Sequence, residues 1–215
     1  MNKLSRFLLL PVLLVIAHNF LTAQKTSDSM VYVVDTSVSQ VLWFCGNHYG
    51  CVSFDTGFIV VENQRIKKGE FVVDMNTIQD DDITNNKLLR LTLNNVIKSL
   101  PFFNVKTYPY SRFVLEEVTP IDSNRYHVTG ILEIQDEVRD IDFDATITFK
   151  DNFIIVETDF IDIDRTNWGV NYLSEKFDPK GKETMHVPDT ISFIVQLSAI
   201  KENDFKPVLK NKKKE

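Results

Sequence analysis

Within the stretch LWFCGNHYGCV, residues 42–52, Cys45, His48 and Cys51 fall inside seven positions. Thiol, imidazole and thiol at that spacing can hold a metal, run a redox cycle or staple a turn. A metal site would have three soft or borderline ligands and would need a fourth, yet His127 and His186 lie far off in sequence. A thiol redox centre spaces its cysteines as C-x-x-C, whereas five residues separate these two. If residues 38–46 and 51–62 pair as a hairpin with GNHYG as its loop, the cysteines oppose each other at the loop base. Opposed residues of an antiparallel pair sit ~4.5–5.5 Å apart, inside the ~4.4–6.8 Å window of a disulfide. A Cys45–Cys51 bond is therefore expected, worth roughly 2 kcal/mol for so short a loop. Free thiols, and a metal or redox centre, are the alternatives.

Other chemistry-bearing stretches weaken under the same scrutiny. DIDFD (140–144) and DIDR (162–165) have the acid spacing of calcium loops. The sixth position of the first is Ala145, where such a loop needs glycine, and its acids fall on the wet face of a strand. QDDDIT (79–84) reads as the lead-in to a helix, so no metal site is expected. G-x-S-x-G, H-E-x-x-H and phosphate-cradling glycine loops are missing from the sequence. The few histidines and the two cysteines do not assemble a nucleophile, a base and an orienting group. Catalysis is not expected, and no cofactor is implied.

The compartment bears on the cysteines. Residues 1–23, MNKLSRFLLLPVLLVIAHNFLTA, carry a basic head with Lys3 and Arg6, then an apolar run from Phe7 to Ala17. This is the layout of a secretory signal peptide; the run is too short for a bilayer, which takes ~20 apolar residues. Cleavage after Ala23 would deliver a periplasmic or secreted chain to an oxidising environment, which favours a disulfide. It would remove two of the 24 basic and none of the 30 acidic residues, moving the net charge from −6 to −8. Nucleic acid is a poor partner for such a surface. No later run is long enough to span a membrane. The oligomeric state stays open, a homodimer being one arrangement.

Period-two alternation marks strands with one buried face. In RDIDFDATITF (139–149), Ile141, Phe143, Ala145, Ile147 and Phe149 share one face and Asp140, Asp142 and Asp144 the other. RYHVTGILEI (125–134) and TISFIVQLSA (190–199) alternate as clearly, and 38–46, 51–62, 65–75, 111–118 and 152–163 more weakly. These make eight strands in an all-β chain. TNNKLLRLTLNNVIKS (84–99) has helical spacing through Leu88, Leu91, Asn95 and Lys98, with Thr84 or Asn85 as its cap. The expected organisation is a leader (1–23), one domain (24–200) and a lysine-rich tail (201–215) without periodicity, read as disordered.

Eight such strands stack as a sandwich or close as a barrel, and alternation does not choose between them. The motifs do. Ser39, Trp43, HYG (48–50), Gly57, KKGEFVVDMNTI (67–78), KSLPFFNVKTYPYSRF (98–113), YHVTGILEI (126–134) and DIDRTNWGVNY (162–172) together resemble the YceI-like family over residues 33–199. FFNVKTYP and DRTNWG are the most specific pieces. The chain departs from the family pattern at LEIQDEV (132–138), which lacks a glycine-bearing turn, and near Asn95, where the family carries a histidine. The resemblance implies a lipocalin-like, eight-stranded antiparallel barrel with one short helix closing an end. It also implies an exported protein that sequesters or carries an amphiphilic lipid with an apolar chain, a polyisoprenoid or a quinone-like tail.

Residues expected to line the barrel are Trp43, Phe71, Met75 and Phe113, then Ile141, Phe143 and Ile147, then Phe160, Arg165, Trp168 and Phe193. Two readings stand for DRTNWG. Arg165 can meet a headgroup with its planar fork of donors, or it can pair with Asp164 to fix the turn while Trp168 plugs the barrel. Binding would proceed by desolvation, each buried methylene being worth ~0.8 kcal/mol. The rivals are an envelope barrel of structural or stress-response type without ligand, and a cysteine-dependent redox or metal protein.

Overall fold

The structure, a computed structural model, describes residues 29–180 and 186–204. The expected leader lies outside them, as do residues 205–215 of the tail. The elements run β1 (Ser29–Val34), β2 (Gln40–Cys45), β3 (His48–Glu62), β4 (Arg65–Asp80), α1 (Lys87–Lys98), β5 (Tyr110–Pro120), β6 (Arg125–Ile134), β7 (Glu137–Phe149), β8 (Phe153–Thr158), β9 (Ile161–Asp164) and β10 (Thr190–Lys201). A short 3-10 turn, Glu202–Asp204, follows β10.

Strands β2 to β8 pair antiparallel in chain order, and β10 pairs with both β2 and β8, closing a ring of eight. Two positions in the ring are broken strands. β1 has the same two neighbours as β2, with Tyr32 opposite Ile59 of β3 and Val33 opposite Ile200 of β10. At the gap between β1 and β2, the buried Ser39 hydroxyl accepts from the Ser198 N–H at 3.0 Å. β9 continues β8 along β10, with Ile161 opposite Phe193. β1 has no counterpart among the expected strands because SMVYVV is apolar almost throughout and does not alternate by residue type.

The break in the strand expected at 152–163 changes its parity. Thr158 turns its hydroxyl to accept from the Val195 N–H at 2.9 Å, and Asp159 and Phe160 drop out of the ladder. Ile154 and Thr158 are buried before the break, Ile161 and Ile163 after it. A one-residue slip exchanges the two faces of a strand. Phe160, an even-numbered residue expected inside, is therefore 59% exposed.

Helix α1 links β4 to β5 over one end of the barrel. Its cap is Asn86, whose Oδ1 accepts from the Leu89 N–H at 3.0 Å, not Thr84 or Asn85. The inward stripe is Leu93, Val96 and Ile97; Leu88 and Leu91 face solvent. The helix is rotated from the expected stripe because its other contacts are polar: the Asn94 side chain accepts from the Asp80 N–H and Lys98 Nζ donates to the Asn76 carbonyl.

At that same end lie the β2–β3 turn, the Phe102–Phe103 connection, the β6–β7 turn and the described residues between β9 and β10. Tight turns close the other end, where Asn63 and Gln64 reverse the chain between β3 and β4. Two core clusters fill the ends, one around Trp43, Ile97, Phe102 and Trp168, the other around Tyr32, Phe54, Ile154 and Leu197. Val41, Val73, Phe143 and Val195 touch both clusters yet are only half-buried. They stand at mid-barrel, and what they face is empty space.

Candidate ligand-binding cavity

That space is a cavity of about 640 Å³, within the ~300–1,000 Å³ typical of small-molecule sites. Eight residues expected from sequence line it: Trp43, Phe71, Met75 and Phe113 on the first strands, Ile141, Phe143 and Ile147 on β7, and Phe193 on β10. Val41, Val73, Leu93, Ile97, Phe102 and Val195 also line it and were not singled out. Val195 shares the face of Phe193 by alternation, so it was accessible to the same reasoning. Leu93 and Ile97 were not, because the helix face is set by tertiary contacts.

The wall is apolar by construction. A row of rings crosses it, with centroids 6.5 Å apart for Phe54 and Phe71, 6.3 Å for Phe71 and Phe113, and 5.6 Å for Phe113 and Phe143. Phe113 on β5 reaches Phe143 on β7 across the intervening strand β6. Gly130 of β6 permits this: a Cβ there would stand 2.5 Å from the Phe113 ring. The buried hydroxyl of Thr158 is already engaged by the Val195 N–H. Little on the wall discriminates one apolar chain from another except length and girth.

Three expected lining residues lie elsewhere. Phe160 faces out and packs edge-on against Phe44, 5.4 Å between centroids. Trp168 is buried in the wall beside the cavity, its Nε1–H donating to the Leu132 carbonyl at 3.1 Å. Arg165 is 1% exposed and meets no headgroup position. Its guanidinium donates to the carbonyls of Pro188 and Val187 at 2.9 Å each and to that of Val170. Asp189 approaches at 3.4 Å, and the Phe102 ring lies 5.5 Å away. The expected Asp164–Arg165 pair does not form, because Asp164 is occupied by Thr166 and Lys176. Burial lowers the Arg165 pKa, and Asp189 opposes the shift. Three N–H donors of this buried guanidinium are held by backbone carbonyls, so it fixes the loop and does not line the cavity.

Among the described residues, the exposed lining at the helix end of the barrel is Gly46, Asn47, His48 and Pro188, which mark the mouth together with His186. Cys45 borders this mouth. The expected disulfide is not there: both cysteines are free. The loop of the hairpin is Gly46–Asn47, not GNHYG. Gly46 takes φ 60, a conformation glycine adopts without strain. Cys45 is thereby opposite His48, and Cys51 opposite Leu42. Alternation then sends the two thiols to opposite faces of the strand pair. Cys45 points in, 3.7 Å from the Pro188 carbonyl, and Cys51 points out, 3.5 Å from the Gln79 side-chain nitrogen. Burial raises the pKa of both thiols, the reverse of what an activated thiolate needs.

A family model described as the YceI-like domain matches residues 32–199. No curated protein matches the chain. Among solved structures, Burkholderia cenocepacia BcnA is 19% identical, with 77% of this chain and 98% of that one covered and a TM-score of 0.60. A polyisoprenoid binding domain from Saccharophagus degradans, implicated in plant cell wall breakdown, is 13% identical, with 80% and 99% covered and a TM-score of 0.55. At these identities the likeness is one of fold.

Proposed function

The chain belongs to the YceI-like domain family, and from that premise we propose that it is an exported carrier that encloses the apolar chain of an amphiphilic lipid, a polyisoprenoid or quinone-like tail, without catalysis. The observation that carries this reading is the hollow mid-barrel. Phe143, Val41, Val73 and Val195 occupy core positions yet remain half-buried around a space of about 640 Å³. An apolar chain would complete their burial at ~0.8 kcal/mol per methylene, which soon exceeds the ~1 kcal/mol of a single hydrogen bond. Affinity would thus reside in the wall, and the polar end of the ligand would stay near the mouth.

Support comes also from the neighbour described as a polyisoprenoid binding domain and from the basic head and apolar run of residues 1–23, which would export the chain. None of the described helices is long and apolar enough to cross a membrane. The redox alternative loses ground because thiols on opposite faces of one hairpin cannot exchange with each other.

Native mass spectrometry of protein purified from its own envelope, followed by organic extraction, tests the proposal. A single apolar-chain molecule per barrel is expected. Protein that emerges empty, and that takes up no polyprenol or quinone when these are offered, would overturn it.

A further inference from the structure

The rim of the mouth carries a second arrangement, independent of the lipid. His48 at the start of β3, Asp80 at the end of β4 and Asp82 just beyond it place one ligand atom each within 4.8 Å of the others, the sole such grouping among the described residues. His48 Nδ1 lies 3.1 Å from Asp82 Oδ2 and 3.5 Å from Asp80 Oδ2. The Asp80 side chain is fully buried. Its Oδ1 accepts from the Ile83 N–H at 3.1 Å, whereas Oδ2, the oxygen aimed at His48, has no hydrogen-bond partner.

A buried carboxylate oxygen without a donor is costly unless a proton or a cation compensates it. The surroundings keep the three groups in place. Asp80 N–H donates to the Asn94 side chain of α1 at 2.7 Å, and Asp81 N–H donates to the Tyr49 carbonyl at 2.9 Å. Opposite Asp80 stands Gly50, where a Cβ would come within 1.9 Å of the Gln79 carbonyl. Helix, hairpin and strand end are thus drawn together at one point, around a buried carboxylate oxygen that no donor meets.

We propose that His48, Asp80 and Asp82 form a binding site for a first-row divalent cation at the mouth of the barrel. Two carboxylates offset the charge of a dication, and the imidazole favours zinc and its neighbours over calcium or magnesium. Three protein ligands leave a zinc-like ion one tetrahedral position for water or a polar group at the mouth. The site escapes a search for local motifs because His48 and its two acids are 32 and 34 residues apart.

The test is calorimetric titration of the mature, chelator-stripped protein with Zn²⁺ alone, alongside His48→Gln, Asp82→Asn and Asp80→Asn. One saturable site is expected in the parent, together with a shift of the His48 ring-nitrogen resonances on zinc addition. Because loss of even an outer-shell partner costs roughly 10- to 100-fold in metal affinity, each variant should bind at least about tenfold more weakly. His48→Gln and Asp82→Asn alter side chains with solvent access, so they keep the test decisive should Asp80→Asn fail to fold. No saturable binding in the parent would overturn the site in favour of a proton shared between Asp80 and Asp82. Unchanged zinc affinity in His48→Gln and Asp82→Asn would overturn it in favour of ligands elsewhere.

Discussion

Phe143 shows how a single side chain reports what its barrel contains. It sits mid-strand on β7, opposite Val128, and touches both core clusters while remaining half-buried. In a filled core, Phe→Ala costs ~3–5 kcal/mol. Here part of the ring borders space already empty, so Phe143→Ala in lipid-free protein should lose less than that in urea unfolding, while extracted lipid shifts toward longer or bulkier chains. A full core-sized loss with no change in lipid would mean that the ring packs only on protein. The inward position of Phe143 was legible because three aspartates alternate with it. The fate of the cysteines was not. Their facing depends on whether the hairpin loop has two residues or five, and a three-residue difference exchanges inside for outside.

Among the elements, the segment between β9 and β10 depends most on one group. It leaves β9 at Asp164, lies against the mouth through Val187 and Pro188, and is pinned by Arg165 from beneath. Deleting Arg165 would leave three carbonyls without their donor, and a buried acceptor left unsatisfied costs ~1–3 kcal/mol. Arg165→Met should therefore destabilise the protein on that scale in urea unfolding. Arg165→Lys should recover only part of it, since a point charge cannot serve three carbonyls as a planar fork does. Full stability in Arg165→Met, with lipid retention alone impaired, would restore the headgroup reading. At this scale the sequence was informative where alternation is clean, as on β6, β7 and β10. It misled where a hydroxyl replaces a ladder bond, as at Thr158, because no residue-type pattern announces a break in parity. The DRTNWG signature announced importance but not kind, since loop fixing and ligand contact ask for the same arginine.

For the molecule as a whole, ring closure through β10 limits what an emptied barrel can do. Every strand of the ring is hydrogen-bonded on both sides, so the wall cannot fold in on the vacated volume without breaking ladders. Among the described residues, the cavity lining is exposed at the end carrying Gly46–His48 and Pro188, and that end is the expected route for exchange of a bound chain. Such closure could be anticipated from the resemblance of motifs but not from strand number, since eight alternating strands serve a sandwich equally well. The hairpin at that end adds something useful. It carries one thiol on each side of the same wall, of which Cys45 borders the interior and Cys51 does not. The pair makes the protein its own ratiometric occupancy gauge, one sulfur reading the contents and the other normalising for reagent and time. Alkylation followed by peptide mass spectrometry should show Cys45 labelling accelerate relative to Cys51 once lipid is extracted and slow again on refilling. A ratio indifferent to lipid would mean that the chain never reaches the turn.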